Sequence, residues 1–544
     1  MRLSLPVAAI AAASLFACSN DPKPSAALVK PGKDPEVADT GKGSGSASED
    51  QTPIVQPQPV VKKPVDTRPL PQLAKKIGKG GAPSGKSKWG VGFGGLGIDV
   101  PRDLALSAKG EIYVAGLFDG QLDLGAAGKY TAIVAPLHPA LAVDPQKQTG
   151  KPPAAPTDAY LVKLGGDGKI AWAKTFGAGR EDVANGVAVN KDGSRVVVVG
   201  NYLDEIKHGT FSKKGAGSDD IFIAAFDRNG EAQFLFTAGG IDSDGANAIA
   251  ATPDGGWVVG GSFSSSVTFV GTKLTVKGGT DAFLMKLAAD GELEWIKQFG
   301  GNYNDTIRYL AVDGQGSIFV QGIVRDKADW GGQKPLVAAG NADNDVVLAK
   351  YNSNGDHVWS QSFGDKFDDE AGGLSVDPAG NVTMVGSFDH QISFGEGDTH
   401  KSKGLSDIFV ARFSGSGQLA WAKTWGDKRY DVAVGVGSDA EGNTVLTGWF
   451  EGAIDFGQGE TKSTGNKDVF VIKLDESGAP VWVRTFGDKD HDQGRAVEID
   501  DKGGIVLAGL YRFAFDAVQP ALESVRAEGD RIPKPDTYVV RLDR

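Results

Sequence analysis

Apolar and polar positions in this chain fall into short, strand-length runs separated by turns that carry Gly and Asp. In one stretch, residues 432–438 read as a strand, 439–443 as a turn and 444–449 as a second strand. A longer connection containing Ile454-Asp455-Phe456-Gly457 leads to a third strand at 468–474, and the turn Asp475-Glu476-Ser477-Gly478 leads to a fourth at 481–486. Runs such as 196–199 and 408–410 are apolar on consecutive residues, which predicts sheets covered on both faces.

This unit recurs. Trp89, Trp172, Phe234, Trp295, Trp359, Trp421 and Trp482 each stand four residues before a second aromatic (once Ala238) and then Gly, at spacings of 83, 62, 61, 64, 62 and 61 residues. A fixed period of this size marks one supersecondary unit stacked on copies of itself, and four short strands per copy describe a blade of a β-propeller. Asp158, Asp220, Asp281, Asp345, Asp407, Asp468 and Asp536 each open a third strand and give a second count of seven. The ends are out of phase: Trp89 lies in a fourth strand with no first three before it, and 536–542 is a third strand with no fourth after it. Pairing the two predicts an all-β, seven-bladed propeller of four-stranded antiparallel blades, with the N-terminal strand completing the last blade and leaving no free edge. On each fourth strand the two rings and the residue midway share a face, as Trp172, Lys174 and Phe176 do, so packing against the neighbouring blade is favoured over a carbohydrate platform.

Segments 374–388 (LSVDPAGNVTMVGSF), 407–413 (DIFVARF) and 419–426 (LAWAKTWG) resemble the bacterial SBBP-type seven-bladed propeller repeat. The resemblance covers residues 85–544 and implies the fold, together with a secreted or surface location; it implies little about activity. At the other end, Met1-Arg2, an apolar run over 3–16 and Leu15-Phe16-Ala17-Cys18 resemble a lipoprotein signal with its lipobox. On that resemblance 1–17 is removed, Cys18 is lipidated, and the chain is held at the outer membrane, periplasmic or surface-exposed, by acyl chains. Residues 18–84, rich in Pro, Lys, Gly and Ser and without an aromatic, predict a disordered tether.

Composition narrows the partners. The chain has 77 Gly and 26 Pro, which suits many tight turns. Residues 1–84 hold 11 Lys or Arg and 7 Asp or Glu out of 57 and 69, which leaves the propeller with a net charge of about −16. Nucleic acid is therefore not an expected partner, since phosphate neutralisation needs a concentrated basic face. Cys18 is the only cysteine, so no internal disulfide or thiolate metal cage forms.

A second set of acids, Asp99, Asp182, Asp244, Asp305, Asp369, Asp431 and Asp492, lies six residues after the second member of each aromatic pair. Placed before the innermost strands, all seven are expected on one face near the central channel. There they would accept hydrogen bonds from loop amides, or hold a hard cation such as calcium; no other cofactor is expected. Acidic loops 365–369 and 488–492 have closely spaced oxygens without the full EF-hand pattern. The six histidines fall at unrelated repeat positions, and no nucleophile elbow or phosphate loop appears, so a non-catalytic role is expected.

The first copy carries about 20 extra residues within 126–157, with Pro136, His138, Pro139, Pro152 and Pro153, and the last copy is also atypical at 513–535. These loops are neighbours in a closed ring and form the expected partner site. The expected function is display of a binding surface for a protein or glycan by a monomer anchored at the envelope. The alternatives are a scaffold in outer-membrane protein assembly and an extracellular lyase or hydrolase at the channel mouth. An enzyme would gather His, Arg or Tyr with acids at one channel end; small apolar groups alone would exclude it.

Overall fold

The computed structural model describes residues 84–132, 156–178, 180–340, 343–395, 397–525 and 532–544. Cys18, the signal and tether segments, and Pro136, His138, Pro139, Pro152 and Pro153 lie outside the described residues.

Seven four-stranded antiparallel sheets follow one another along the chain. Blade 1 is Asp99–Leu106, Ile112–Asp119, Thr157–Leu164 and Ile170–Phe176. Blade 2 is Val183–Val189, Arg195–His208, Phe211–Asp227 and Ala232–Ala238. Blade 3 is Asp244–Ala251, Trp257–Phe263, Asp281–Leu287 and Leu293–Gly301, and blade 4 is Thr306–Val312, Ile318–Arg325, Asn344–Tyr351 and His357–Phe363. Blade 5 is Asp369–Val376, Val382–Phe388, Asp407–Phe413 and Leu419–Trp425, and blade 6 is Asp431–Ser438, Thr444–Phe450, Asp468–Leu474 and Pro480–Phe486. Blade 7 is Gln493–Ile499, Ile505–Tyr511 and Asp536–Leu542, and Ser87–Phe93 supplies its fourth strand. The inner strand of each blade lies against that of the next, and blade 7 lies against blade 1, so the ring is closed. The register of the closing pair runs from Trp89 opposite Arg541 to Phe93 opposite Thr537.

The repeated aromatic pair is the clasp between blades. Its first member packs on a glycine of the following blade, and in five of the seven copies its indole N–H donates to a carbonyl in that blade's third-to-fourth-strand turn. Trp89 reaches Gly166 O at 3.1 Å, Trp172 reaches Arg228 O at 3.0 Å, Trp359 reaches Gly415 O at 3.1 Å and Trp421 reaches Glu476 O at 3.0 Å. The Gly of that turn, at positive φ, sits flat on the ring, as Gly417 does on Trp359; an added Cβ would meet the indole at 2.9 Å. In blades 3, 4 and 5 the second member packs against an aromatic from the next blade's second-to-third-strand connection. Phe299 stacks on Trp330 at 5.8 Å and 3°, Phe363 meets Phe394 at 5.4 Å, and Trp425 meets Phe456 edge-on at 6.3 Å. Between these clasps, third strands such as Asp407–Phe413 and Asp468–Leu474 are buried at every position, Arg412 and Lys473 included, and the apolar run 408–410 is covered on both faces as expected.

Candidate functional site: one face of the ring and its channel

Antiparallel pairing puts the second-to-third and fourth-to-first connections on the same face. The backbone ties them together there: the ring aspartate's N–H donates to the residue before the third-strand aspartate of the preceding blade, as in Asp182 to Thr157 O, Asp305 to Thr280 O and Asp492 to Lys467 O, each at 2.8–2.9 Å. Asp99, Asp244, Asp369 and Asp431 open their inner strands, while Asp182, Asp305 and Asp492 stand one residue before.

All seven ring acids are buried, and each accepts the backbone N–H four residues upstream on Oδ2, at 2.6–3.3 Å. In blades 3, 4, 6 and 7 the other oxygen also accepts an N–H, twenty residues on, at the end of the second strand. Each carboxylate thus fixes one interblade turn. The seven do not converge on one point: each faces the third-strand aspartate of the preceding blade, so that Asp99 meets Asp536, Asp369 meets Asp345 and Asp492 meets Asp468. The third-strand acids in turn hold their own loops, as Asp345 Oδ2 accepts Ala339 N–H at 2.8 Å. The Gly that ends each aromatic motif lies over this pair. An added Cβ on Gly364 would meet Asp369 Oδ2 at 2.4 Å and Asp345 Oδ1 at 2.5 Å.

Burial first, and neighbouring carboxylates after it, push these acids upward: Asp369 to about 9, Asp182 to about 8, Asp244, Asp431 and Asp492 to about 7, Asp305 to about 6, and Asp99 well above the ordinary range. Among the described residues no group of three or more His, Cys, Asp or Glu has metal-binding geometry. In the acidic loops, His491 Nδ1 pairs with Asp490 and His390 Nδ1 with Asp365.

Around the channel mouth the interblade turns expose Leu96, Ile241, Tyr303, Phe367 and Tyr430, at 40–76% exposure. Each lies within three residues of a ring aspartate, in five of the seven turns. Val270, Val337, Leu405, Val525 and Ile532 stand in second-to-third connections of the same face. Of eleven exposed large hydrophobics among the described residues, only Val358, in the outer strand of blade 4, lies elsewhere. Composition alone did not reveal this collar; apolar residues inside turns otherwise made of Gly and Asp were its signal.

A second feature lies inside the channel. Every inner strand carries a β-bulge at its third residue after the ring aspartate, and the bulged residues are Arg102, Asn185, Asn247, Arg308, Gly372, Val434 and Arg495. A bulge releases one residue from the ladder and re-aims its side chain. Here it builds a single layer around the axis. Tyr309 of blade 4 senses Arg308 beside it and Arg495, Asp103 and Arg102 from blades 7 and 1 on the opposite side of the ring. Asp103 accepts Val187 N–H at 2.9 Å and is pushed up to about 6 by burial; Glu498, pushed to about 8 by burial and then by Asp103, lies deeper on blade 7. The channel therefore holds Arg, Tyr and acids, and is not lined by small apolar groups alone.

No known protein-family model matches the chain, so the resemblance to the SBBP-type repeat rests on the repeat segments themselves. The chain is 27% identical over 373 residues to the regulatory protein FlaEY of Caulobacter vibrioides, covering 63% of this chain and 37% of that protein. It is 21% identical over 209 residues to an uncharacterized WD repeat-containing protein of Acanthamoeba polyphaga mimivirus, covering 33% of this chain and 15% of that one. It thus spans well under half the length of either relative. Among solved structures, the Neurospora crassa Pan2 WD40 domain aligns over 82% of this chain and 89% of its own, with 9% identity and a TM-score of 0.40.

Proposed function

We propose that this chain is a lipid-anchored cell-envelope propeller, non-catalytic, that binds a protein or glycan partner on the face bearing its fourth-to-first and second-to-third connections. The observation that carries this reading is the concentration on that one face of ten of the eleven exposed large hydrophobics among the described residues. Packing does not account for it, because these side chains stand in solvent, and contiguous exposed apolar groups mark interaction surfaces. Tyr303, Phe367 and Tyr430 suit the rigid aromatic anchors that dominate protein interfaces, and equally the apolar faces of sugars.

A photo-crosslinking residue at Phe367 is expected to form adducts in intact cells. Joint replacement Ile241→Asp and Tyr430→Asp should reduce them at least tenfold, while the exposed Val358→Asp should leave them unchanged. Equal capture by all three proteins would refute the surface.

The anchor has its own test. Cys18→Ser is expected to move the protein from the membrane fraction to the soluble one, and unchanged fractionation would remove lipidation from this reading. Calcium belongs to the same proposal, as a cation held between facing carboxylates would relieve their repulsion. Saturating calcium is then expected to raise the melting temperature by a few degrees over matched calcium-free buffer; an unchanged value assigns the ring acids to turn anchoring alone.

A further inference from the structure

We propose that the bulge layer of the channel is a binding site for an oxyanion group (carboxylate, phosphate or sulfate) gripped by Arg495 and Arg102 from the adjoining blades 7 and 1 and by Arg308 and Tyr309 from blade 4 opposite.

The seven bulged positions divide by what their side chains do. Asn185 donates to Ala246 O at 3.1 Å and Asn247 to Ile307 O at 2.8 Å, so both stitch one inner strand to the next. Gly372 packs against the inner strand of blade 6, where an added Cβ would run into Ala433 O, and Val434 is buried. The remaining three are arginines, each partly buried, and the Nε of each is buried without a hydrogen bond. Structural duty does not require Arg here, since Asn, Gly and Val serve at the same register in the other four blades.

The charges around the layer are unevenly matched. Glu181 faces Arg102, and Glu370 faces Arg308. Arg495 has Arg102, Tyr309 and Tyr538 as its electrostatic neighbours, and its Nε is buried without a hydrogen bond. Burial and Arg102 pull it down to about 10, so it stays cationic at neutral pH. Asp103 already accepts two backbone N–H groups, from Leu104 and Val187, and Glu498 holds its proton to about pH 8. Like charges brought together in a narrow, partly desolvated space repel unless an anion lies between them. Arginine's planar fork matches the oxygens of carboxylate and phosphate in pairs, and a tyrosine hydroxyl adds a neutral donor. Three arginines at one register stand out inside a propeller of net charge about −16.

This site is independent of the collar, and the two are tested by different variants. Inorganic phosphate, sulfate and citrate are each titrated into the full-chain protein by calorimetry and thermal shift, against sodium chloride at matched ionic strength. At least one is expected to raise the melting temperature saturably beyond chloride. A response to citrate alone assigns a carboxylate ligand; a response to phosphate or sulfate assigns a phosphorylated or sulfated one. Arg495→Asn, which copies the residue of blades 2 and 3, should raise the dissociation constant at least tenfold, with Arg308→Asn as second variant if the first does not fold. Lys462→Gln, on an exposed hairpin, should leave it unchanged. No saturable response in any arm, or an Arg495→Asn titration matching the wild type, overturns the proposal.

Discussion

Removal of residues 1–94 is expected to lower the melting temperature of the propeller by more than about 10 °C, or to leave it insoluble, whereas removal of residues 1–81 leaves the transition in place. The closing strand Ser87–Phe93 joins blade 7 to blade 1. It pairs along Asp536–Leu542 of blade 7; Trp89 clasps the Gly166 carbonyl of blade 1 at 3.1 Å; and Phe93 meets Tyr160 edge-on at 6.2 Å. Just before it, Gly85 lies against Trp482 of blade 6, the Ser84 hydroxyl bonds the Asp543 carboxylate at 3.1 Å, and Arg484 donates to Ser84 O. Without the strand, Asp536–Leu542 becomes a free edge, and buried Tyr538, Val539 and Val540 lose their cover. Truncating a single buried large aromatic costs about 3–5 kcal/mol. Loss of a Trp, a Phe and a β-ladder together approaches the roughly 5–15 kcal/mol that a whole domain has. Thermal unfolding followed by circular dichroism checks it, and equal melting temperatures for the two truncations would contradict closure by this strand.

The same closure shows why the fold was legible in the sequence and the site only partly so. A strand is recognised by its own residues, and seven copies in phase give the blade count, the four strands and the unpaired ends; the observed bounds of blade 6 differ from the expected ones by a residue at most. The site depends on relations between copies. The two sevenfold acid series were each visible, yet their pairing joins the third strand of one blade to the inner strand of the next. The constant offset of 24 residues from Asp158 to Asp182, Asp220 to Asp244 and Asp468 to Asp492 was its signal, and the Asp536–Asp99 pair, which spans the closure, hides it. The motif's Gly read as turn punctuation until the carboxylates beside it left no room for a Cβ. Arg102, Arg308 and Arg495 were harder still. They occur in only three of seven copies, and simple alternation along a strand does not foretell a bulge that sends the third residue into the channel.

The facing carboxylates make the propeller less stable as pH rises. An acid whose pKa is raised by folding holds its proton more tightly in the folded state than in the unfolded chain. Its contribution is therefore fully present below the unfolded value of about 4 and is lost as pH climbs through the folded value. For Asp369 that window runs from about 4 to about 9, and for its partner Asp345 to about 6. Burial is the largest cause of the direction and the facing groups add to it: Asp345 lies across the junction, Asp365 and Asp389 add negative charge, and the Asp365 N–H, at 3.3 Å, favours ionisation. The Oδ1 atoms of Asp369 and Asp345 are both buried without a partner. Asp369→Asn keeps an acceptor for the Asp365 amide, offers N–H donors to Asp345 and cannot ionise. At pH 8 it is expected to be at least about 1 kcal/mol more stable than the wild type, since each unit of upward shift penalises the ionised form by about 1.4 kcal/mol. At pH 5 the gain should be several-fold smaller, and it vanishes only below about pH 4, where the wild-type side chain is protonated in the unfolded chain as well. Denaturant unfolding between pH 5 and 9 reads this as a flatter stability profile for the variant. Parallel profiles, or a variant less stable than wild type at pH 8, would show that the junction carries no such penalty and that Asp369 acts only as an acceptor for its turn.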